Sequence, residues 1–329
     1  MRRREFITLL GGAAAVARPL AVRAQQPSMP VIGFLGSASP DSYSTRLRFF
    51  RAGLKEAGYV EGENVRIEYR WAGAQNDLLP MLAADLVQHQ VAVIVAASGT
   101  PGALAAKAAT ATIPIVFAVA VDPIKEGFVG SLSHPGGNLT GVTNLNVEIG
   151  PKRLELMHTV VPAAMRFGVL VDPTGADLAN TFVRGVQTAA EKLGLQIHVL
   201  NASSERDFNS AFDALAQLHA DALIIGPSAF FGARSEQLAA LALRHAVPSI
   251  FQYGAFARAG GLLSYGTDET EFYHLVGLYT GRILKGEKPG DLPVQQSAKI
   301  ELIINLKTAK ALGIAIPLSL LGRADEVIE

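Results

Sequence analysis

The sequence predicts an α/β chain of two similar lobes, each a doubly wound parallel sheet, joined by a multi-strand hinge. Three observations carry this. Apolar strand-like runs alternate with amphipathic helix-like runs along the 329 residues, the pattern of parallel sheets covered on both faces. The pattern then restarts at Met165, half a chain from its first start at Met29. Landmarks recur in order at nearly constant spacing: Gly33 and Gly168 are 135 residues apart, Gly58 and Gly194 136, Ser98 and Ser228 130, Phe117 and Phe251 134.

In the first half, "MPVIGFLGSASP" reads as a buried strand ending in Gly36-Ser37, and "RLRFFRAGLKEAGY" as an amphipathic helix closed by Gly58. "NVRIEYRWA" alternates as a strand, "DLLPMLAADLVQHQ" returns as a helix, and "VAVIVAASGTPGA" is a strand breaking into a Ser-Gly-Thr-Pro turn. A helix is expected to open at Gly102; "IPIVFAVAVDP" and the short "NLTGVTNLN" are the next strands. The second half repeats the order, from the strand "MRFGVLVDPTGA" through "LQIHVLNAS", "ADALIIGPSAFFG" and "VPSIFQYGAF" to the short "GGLLSYGTD", with helical runs between. "TIPIVFAVAVDP" and "AVPSIFQYGAFA" share a proline and a phenylalanine at the same offset, 134 residues, and are read as matching strands on opposite walls of one cleft. Right-handed crossovers put the carboxyl ends of the strands on one edge of each sheet, where ligands of such folds sit.

The tail adds a helix at Phe272–Lys285, a Gly/Pro turn in "KGEKPGD", and a strand and helix in "KIELIINLKTAKALGI". An extra pair of this kind is expected to exchange between the lobes, with crossings near Val142–Asn146, Gly266–Glu269 and Leu292–Ala298. The first lobe is then 30–143 with 268–296, and the second 144–267 with 297–329.

Residues 1–24 are a different text. "MRRREF" is basic, Phe6–Ala17 is uncharged and rich in Leu, Gly and Ala, and "AVRA" offers a small-residue exit, which together describe an export signal cut after Ala24. Arg3-Arg4-Glu5-Phe6-Ile7 is similar to the twin-arginine pattern, with the general secretory route as the alternative. The segment holds five arginines and one glutamate of the chain's 29 basic and 29 acidic residues. The remainder is mildly acidic and has no basic run, so nucleic acid is not an expected partner. No apolar run reaches the ~18 residues of a spanning helix. The chain has no cysteine, which excludes disulfides, thiol catalysis and cysteine-based metal sites.

"FRAGLKEAGYVEGENVRIEYRWA", "GTPGALAAKAAT", "IPIVFAVAVDPIKEGFVGSLSHPGGNLTGV" and "NLKTAKALGI" resemble the ABC-transporter substrate-binding family that includes tryptophan- and tyrosine-type binders. The similarity extends over nearly all of Pro30–Pro317, and the Asp-Pro to "PGGNLTGV" block is its most specific part. The resemblance implies a type I periplasmic binding-protein fold and capture of a small solute between the lobes. It also implies delivery to a permease in the inner membrane, and suggests an amino acid, of aromatic type in several relatives. A periplasmic sensor subunit is the alternative reading, and a hydrolase on a two-lobe scaffold a third.

Strand exits nominate the wall residues. Ser37, the Ser98-Gly99-Thr100 turn and Asp122 stand in the first lobe, Asp172, Ser228, Phe231 (beside Phe230) and Tyr253 in the second, and Thr143 and Tyr265 at the hinge. The Ser-Gly-Thr turn opens a helix, whose N–H groups and dipole suit a carboxylate. Asp122 and Asp172 each precede a proline, where an Asx turn competes with contact to an ammonium group. Tyr253 is expected to face away from the core, since Phe251 is already its strand's core-facing ring.

No G-x-S-x-G, G-x-x-x-x-G-K-[ST] or H-E-x-x-H motif occurs. "GFLGS" lacks the third glycine of a dinucleotide fingerprint, and the seven histidines are scattered without metal-ligand spacing. The expectation is a monomeric, periplasmic, non-enzymatic receptor without cofactor or metal.

Overall fold

The structure, a computed structural model, describes residues 29–73, 75–144 and 146–329. The export segment read at residues 1–24 lies outside the described residues.

The first half builds β1 (Val31–Gly36), α1 (Ser44–Glu56), β2 (Arg66–Trp71), α2 (Leu79–Gln88), β3 (Val93–Ala96), α3 (Gly99–Ala109), β4 (Ile115–Val119) and β5 (Leu139–Asn144). The second begins with α4 (Gly150–Val160), β6 (Arg166–Val171), α5 (Ala176–Leu193), β7 (Gln196–Asn201), α6 (Glu205–Gln217) and β8 (Ala222–Ile225). It continues through α7 (Ala229–Gly232), α8 (Ser235–Arg244), β9 (Ser249–Phe251), α9 (Gly254–Arg258) and β10 (Leu263–Thr267). The tail supplies α10 (Glu269–Leu284), β11 (Gln295–Ser297), β12 (Ile300–Asn305), α11 (Leu306–Ala311), α12 (Leu318–Leu321) and β13 (Glu326–Ile328).

Two sheets result, ordered β11-β5-β4-β3-β1-β2 and β13-β12-β10-β9-β8-β6-β7. Consecutive strand residues face opposite sides of a sheet, and each sheet is buried on both. Val93 and Val95 of β3 join one core cluster and Ile94 and Ala96 the other. In the second sheet Ala222 and Ile224 of β8 divide from Leu223 and Ile225 in the same way. The fold is therefore the doubly wound, two-lobed α/β class expected from the repeat.

The sequence details needed two corrections. Helix α3 opens at Gly99 and not at Gly102, because Gly99 takes φ +69° and turns the chain into the helix at once. One strand pair breaks the parallel rule: β10 and β12 are antiparallel, with Thr267 opposite Ile300. β10 ends where the chain leaves the second sheet and β12 begins where it returns, so the two must run in opposite directions.

The chain passes between sheets after β5, after β10 and after β11, the last of these strands pairing with β5 at Gln295–Val142 and Gln296–Thr143. Helix α10 is fixed to α1 by backbone contact. A Cβ on Gly53 would lie 1.9 Å from the His274 carbonyl oxygen, and one on Gly277 2.0 Å from that of Phe50. No side chain fits there, and that approach sets the start of α10 beside the start of α1.

Candidate functional site

The segments that leave β3, β4 and β5 face those that leave β8, β9 and β10 across one narrow cavity of about 80 Å³. The first lobe contributes Tyr43 and Arg46 from the start of α1, Gly99 and Thr100 from α3, and Ala118–Ala120. The second contributes Ser228, Gln252, Tyr253 and Leu178. Asn144, Asn146, Thr267 and Glu269 come from the crossings, and Phe272 and Tyr273 from α10.

Of the sequence-nominated residues, four line this cavity: Gly99, Thr100, Ser228 and Tyr253. The other seven are placed elsewhere by their partners. Ser37 is buried, its hydroxyl 3.1 Å from that of Tyr43. Ser98 donates to the Leu35 carbonyl at 2.7 Å and so ties β1 to the α3 turn. Asp122 Oδ1 accepts from the N–H groups of Ile124 and Lys125, the Asx turn. Thr143 donates to the Val121 carbonyl. Asp172 accepts from Thr174 and, at 2.8 Å, from the Ser228 hydroxyl. Phe231 is fully buried among Phe208 and Phe230, in the core and not on the wall. Tyr265 packs on the second lobe's core, and its carbonyl accepts from Arg153.

The cleft also holds residues that the sequence reading did not nominate. Arg46 is 7% exposed, and its guanidinium stands 5.0 Å from the ring of Tyr43, 5.0 Å from that of Tyr253 and 5.6 Å from that of Tyr273. Its Nε donates to Glu269 Oε1 at 2.8 Å. Burial works against the charge, but Glu269 and the surrounding rings outweigh it and raise the Arg46 pKa well above its ordinary value. Burial also raises the pKa of Tyr253 and Tyr273, so both phenols keep their protons at neutral pH. Tyr43 is held by its hydroxyl on the Ala97 carbonyl at 2.9 Å. A local signal existed for Arg46: it stands on the stripe Tyr43, Leu47, Phe50, Leu54, the buried face of α1. A charge on such a stripe asks for a buried partner.

Two side-chain atoms on the cleft wall are buried without a hydrogen-bond partner among the described residues: Gln252 Oε1 and Thr267 Oγ1. Beneath the hinge, Arg153 is completely buried, and burial pulls its pKa down to about 9. Among the described residues no group of three or more His, Cys, Asp or Glu side chains is placed to hold a metal ion. No helix there is long and apolar enough to cross a membrane.

Two α/β lobes, a three-crossing hinge and a cleft lined from both sheets define a two-lobe solute-binding clamp. The family model described as ABC transporter substrate binding protein matches residues 32–328, and the chain belongs to that family. A curated relative, the tyrosine-binding protein of Clostridioides difficile, is 29% identical over 266 residues, covering 80% of this chain and 75% of its own. A Streptococcus pneumoniae ABC domain solved in complex with L-Trp is 27% identical, with a TM-score of 0.82 over 92% of this chain and 100% of that one. A conserved domain protein from Vibrio cholerae gives 28% identity and a TM-score of 0.83 over 91% and 99%. The protein is a substrate-binding protein of ABC transporters, which takes a small-molecule ligand and works with a transporter.

Proposed function

We propose that this chain captures an amino acid with an aromatic side chain in the interlobe cleft and hands it to an ABC permease of the inner membrane. The carrying observation is the cleft wall itself. Aromatic rings from both lobes, Tyr43, Tyr253, Phe272 and Tyr273, surround a cavity in which Gln252 Oε1 and Thr267 Oγ1 are buried without partners. Rings suit stacking on an apolar or aromatic ligand, and unpartnered polar atoms suit its polar end. A relative named for tyrosine and a structure solved with L-Trp support the same class.

In this reading the bodies 30–143 with 268–296 and 144–267 with 297–329 close by hinge bending. Ligand favours closure because it touches both walls only when they meet. Gly99, Thr100, Ser228 and Tyr253 contact it, together with Gln252 and Thr267. The chain binds and does not turn over its ligand. It acts as a monomer in the periplasm after loss of residues 1–24, and exchange of Arg3 and Arg4 for Lys, with precursor accumulation as readout, separates twin-arginine from general export.

The test is thermal melting of the chain from Gln25 against amino acids, aromatic acids, short peptides, sugars and nucleosides. A ligand at a hundredfold excess over its Kd stabilises by about 2.7 kcal/mol. Shifts with L-Tyr, L-Trp or L-Phe are the expected result; a shift only with sugars or nucleosides overturns the ligand class.

A further inference from the structure

The hinge holds two buried arginines with opposite surroundings. Arg46 has the Glu269 carboxylate. Arg153, on α4 and 0% exposed, has no carboxylate within salt-bridge distance among the described residues. Its Nε donates to the Tyr265 carbonyl at 2.8 Å, its Nη2 to Asn146 Oδ1 at 3.3 Å, and its Nη1 has no partner among the described residues. A guanidinium out of water with only neutral acceptors is a costly arrangement, and it persists where a counter-charge completes it.

What Arg153 does to Asn146 shows where that counter-charge would sit. Asn146 Oδ1 accepts from Arg153 Nη2 and also, at 2.9 Å, from the backbone N–H of Thr267. Both lone pairs of the oxygen are thereby used, which settles which end of the amide is oxygen and leaves its Nδ2 hydrogens as what Asn146 offers the cleft. Asn144 Oδ1 accepts a single hydrogen bond, from the Asn146 N–H at 3.1 Å, which assigns that atom as the oxygen and leaves Nδ2 as the donor end of the amide. Both residues line the cavity, as do Gly99 and Thr100 at the amino end of α3. That side of the cleft therefore offers N–H donors with a buried cation behind them.

We propose that the cleft is selective for ligands bearing a carboxylate, that this group sits on the Asn144 and Asn146 amides, and that its charge is the missing counter-charge of Arg153. Arg153 is a positioning residue here, acting on the ligand through Asn146. The inference rests on the cleft being the site of an amino-acid ligand and names the residues that hold its carboxylate.

The decisive variant is Asn146→Asp, which builds a fixed anion beside Arg153. In the absence of ligand its melting temperature rises above that of the wild type, because the guanidinium gains its counter-charge; an unchanged or lower value overturns the assignment. Isothermal titration with L-tyrosine and L-tyrosinamide supplies the second readout. The wild type prefers the acid at least tenfold, and Asn146→Asp loses acid binding at least a hundredfold while amide binding changes far less. Equal binding of acid and amide by the wild type, or acid binding kept by the variant, overturns the carboxylate subsite. Should Asn146→Asp not fold, Arg153→Met is expected to lower the acid-to-amide ratio at least tenfold, and an unchanged ratio refutes the proposal. If the wild type binds neither compound, the aromatic amino-acid reading fails, and the ligand-free melting comparison still decides whether Arg153 lacks a counter-charge.

Discussion

The guanidinium of Arg46 lies 5.0 Å from the ring centroid of Tyr253, and the two residues belong to different lobes. Around the pair stand Glu269 and Tyr273 from α10 and Gly232 from α7.

Tyr253 is both wall and support. Its ring meets Phe251 edge-on at 5.0 Å and faces Arg46. Tyr253→Ala is expected to weaken binding of the aromatic amino acid by at least about tenfold, ~1.4 kcal/mol, and to lower the melting temperature by a few degrees through the lost ring contacts. Tyr253→Phe keeps those contacts and is expected to melt close to wild type. Titration calorimetry of both variants checks the pair, and undiminished binding by Tyr253→Ala would remove the residue from the site.

Gly232 brings the second lobe close to Arg46. A Cβ there would lie 2.7 Å from Tyr253 Cε2 and 3.1 Å from Arg46 Nη2. Gly232→Val is therefore expected to wedge the lobes apart. Small-angle scattering at saturating ligand should show no contraction, and affinity should fall at least about tenfold, ~1.4 kcal/mol. Wild-type contraction would mean that the walls meet elsewhere.

Glu269→Gln leaves Arg46 buried with rings but without its carboxylate. The pair's side chains are 8% and 20% exposed, and removing one partner of a buried pair costs roughly 3–5 kcal/mol. The three rings retain part of the charge's stabilisation, so a loss of about 2–3 kcal/mol is expected in denaturant unfolding. An unchanged midpoint would show that the contact stabilises nothing.

Two hinge segments are clipped by Asp268, whose Oδ2 accepts from Lys299 Nζ at 2.6 Å while Oδ1 accepts from the Thr270 N–H. Burial pushes its pKa up, but the hydrogen bonds from Lys299 and Thr270 outweigh burial and hold it below the ordinary carboxylate range. A depressed folded-state pKa means the contribution is present above the unfolded value, ~3.9, and is lost as pH falls through the folded one. Asp268→Asn keeps the helix cap and loses the charge. Its melting temperature is expected below wild type at pH 7, with the two curves converging under acid; parallel curves down to the acid limit would contradict the linkage.

Only part of this cleft was legible from strand exits. Gly99, Thr100, Ser228 and Tyr253 were nominated because each follows a strand's carboxyl end, and all four line the cavity. The same rule also nominated Ser98 and Phe231, which face away from it. Ser98 and Thr100 sit two residues apart on one turn, yet the first bonds Leu35, 63 residues distant. Nothing local to the turn distinguishes them.

By itself the sequence determined the lobes and their edges, because strand and helix periodicity is written in neighbours two to four residues apart. The duplicated pattern then placed two sets of strand ends face to face. Only the tertiary structure decided which side chains reach the ligand space. The contacts that orient them span 223 residues between Arg46 and Glu269, and 121 between Asn146 and Thr267. Side-chain direction at a strand exit is set by such distant partners, and those partners exist only once both sheets and the three crossings are in place.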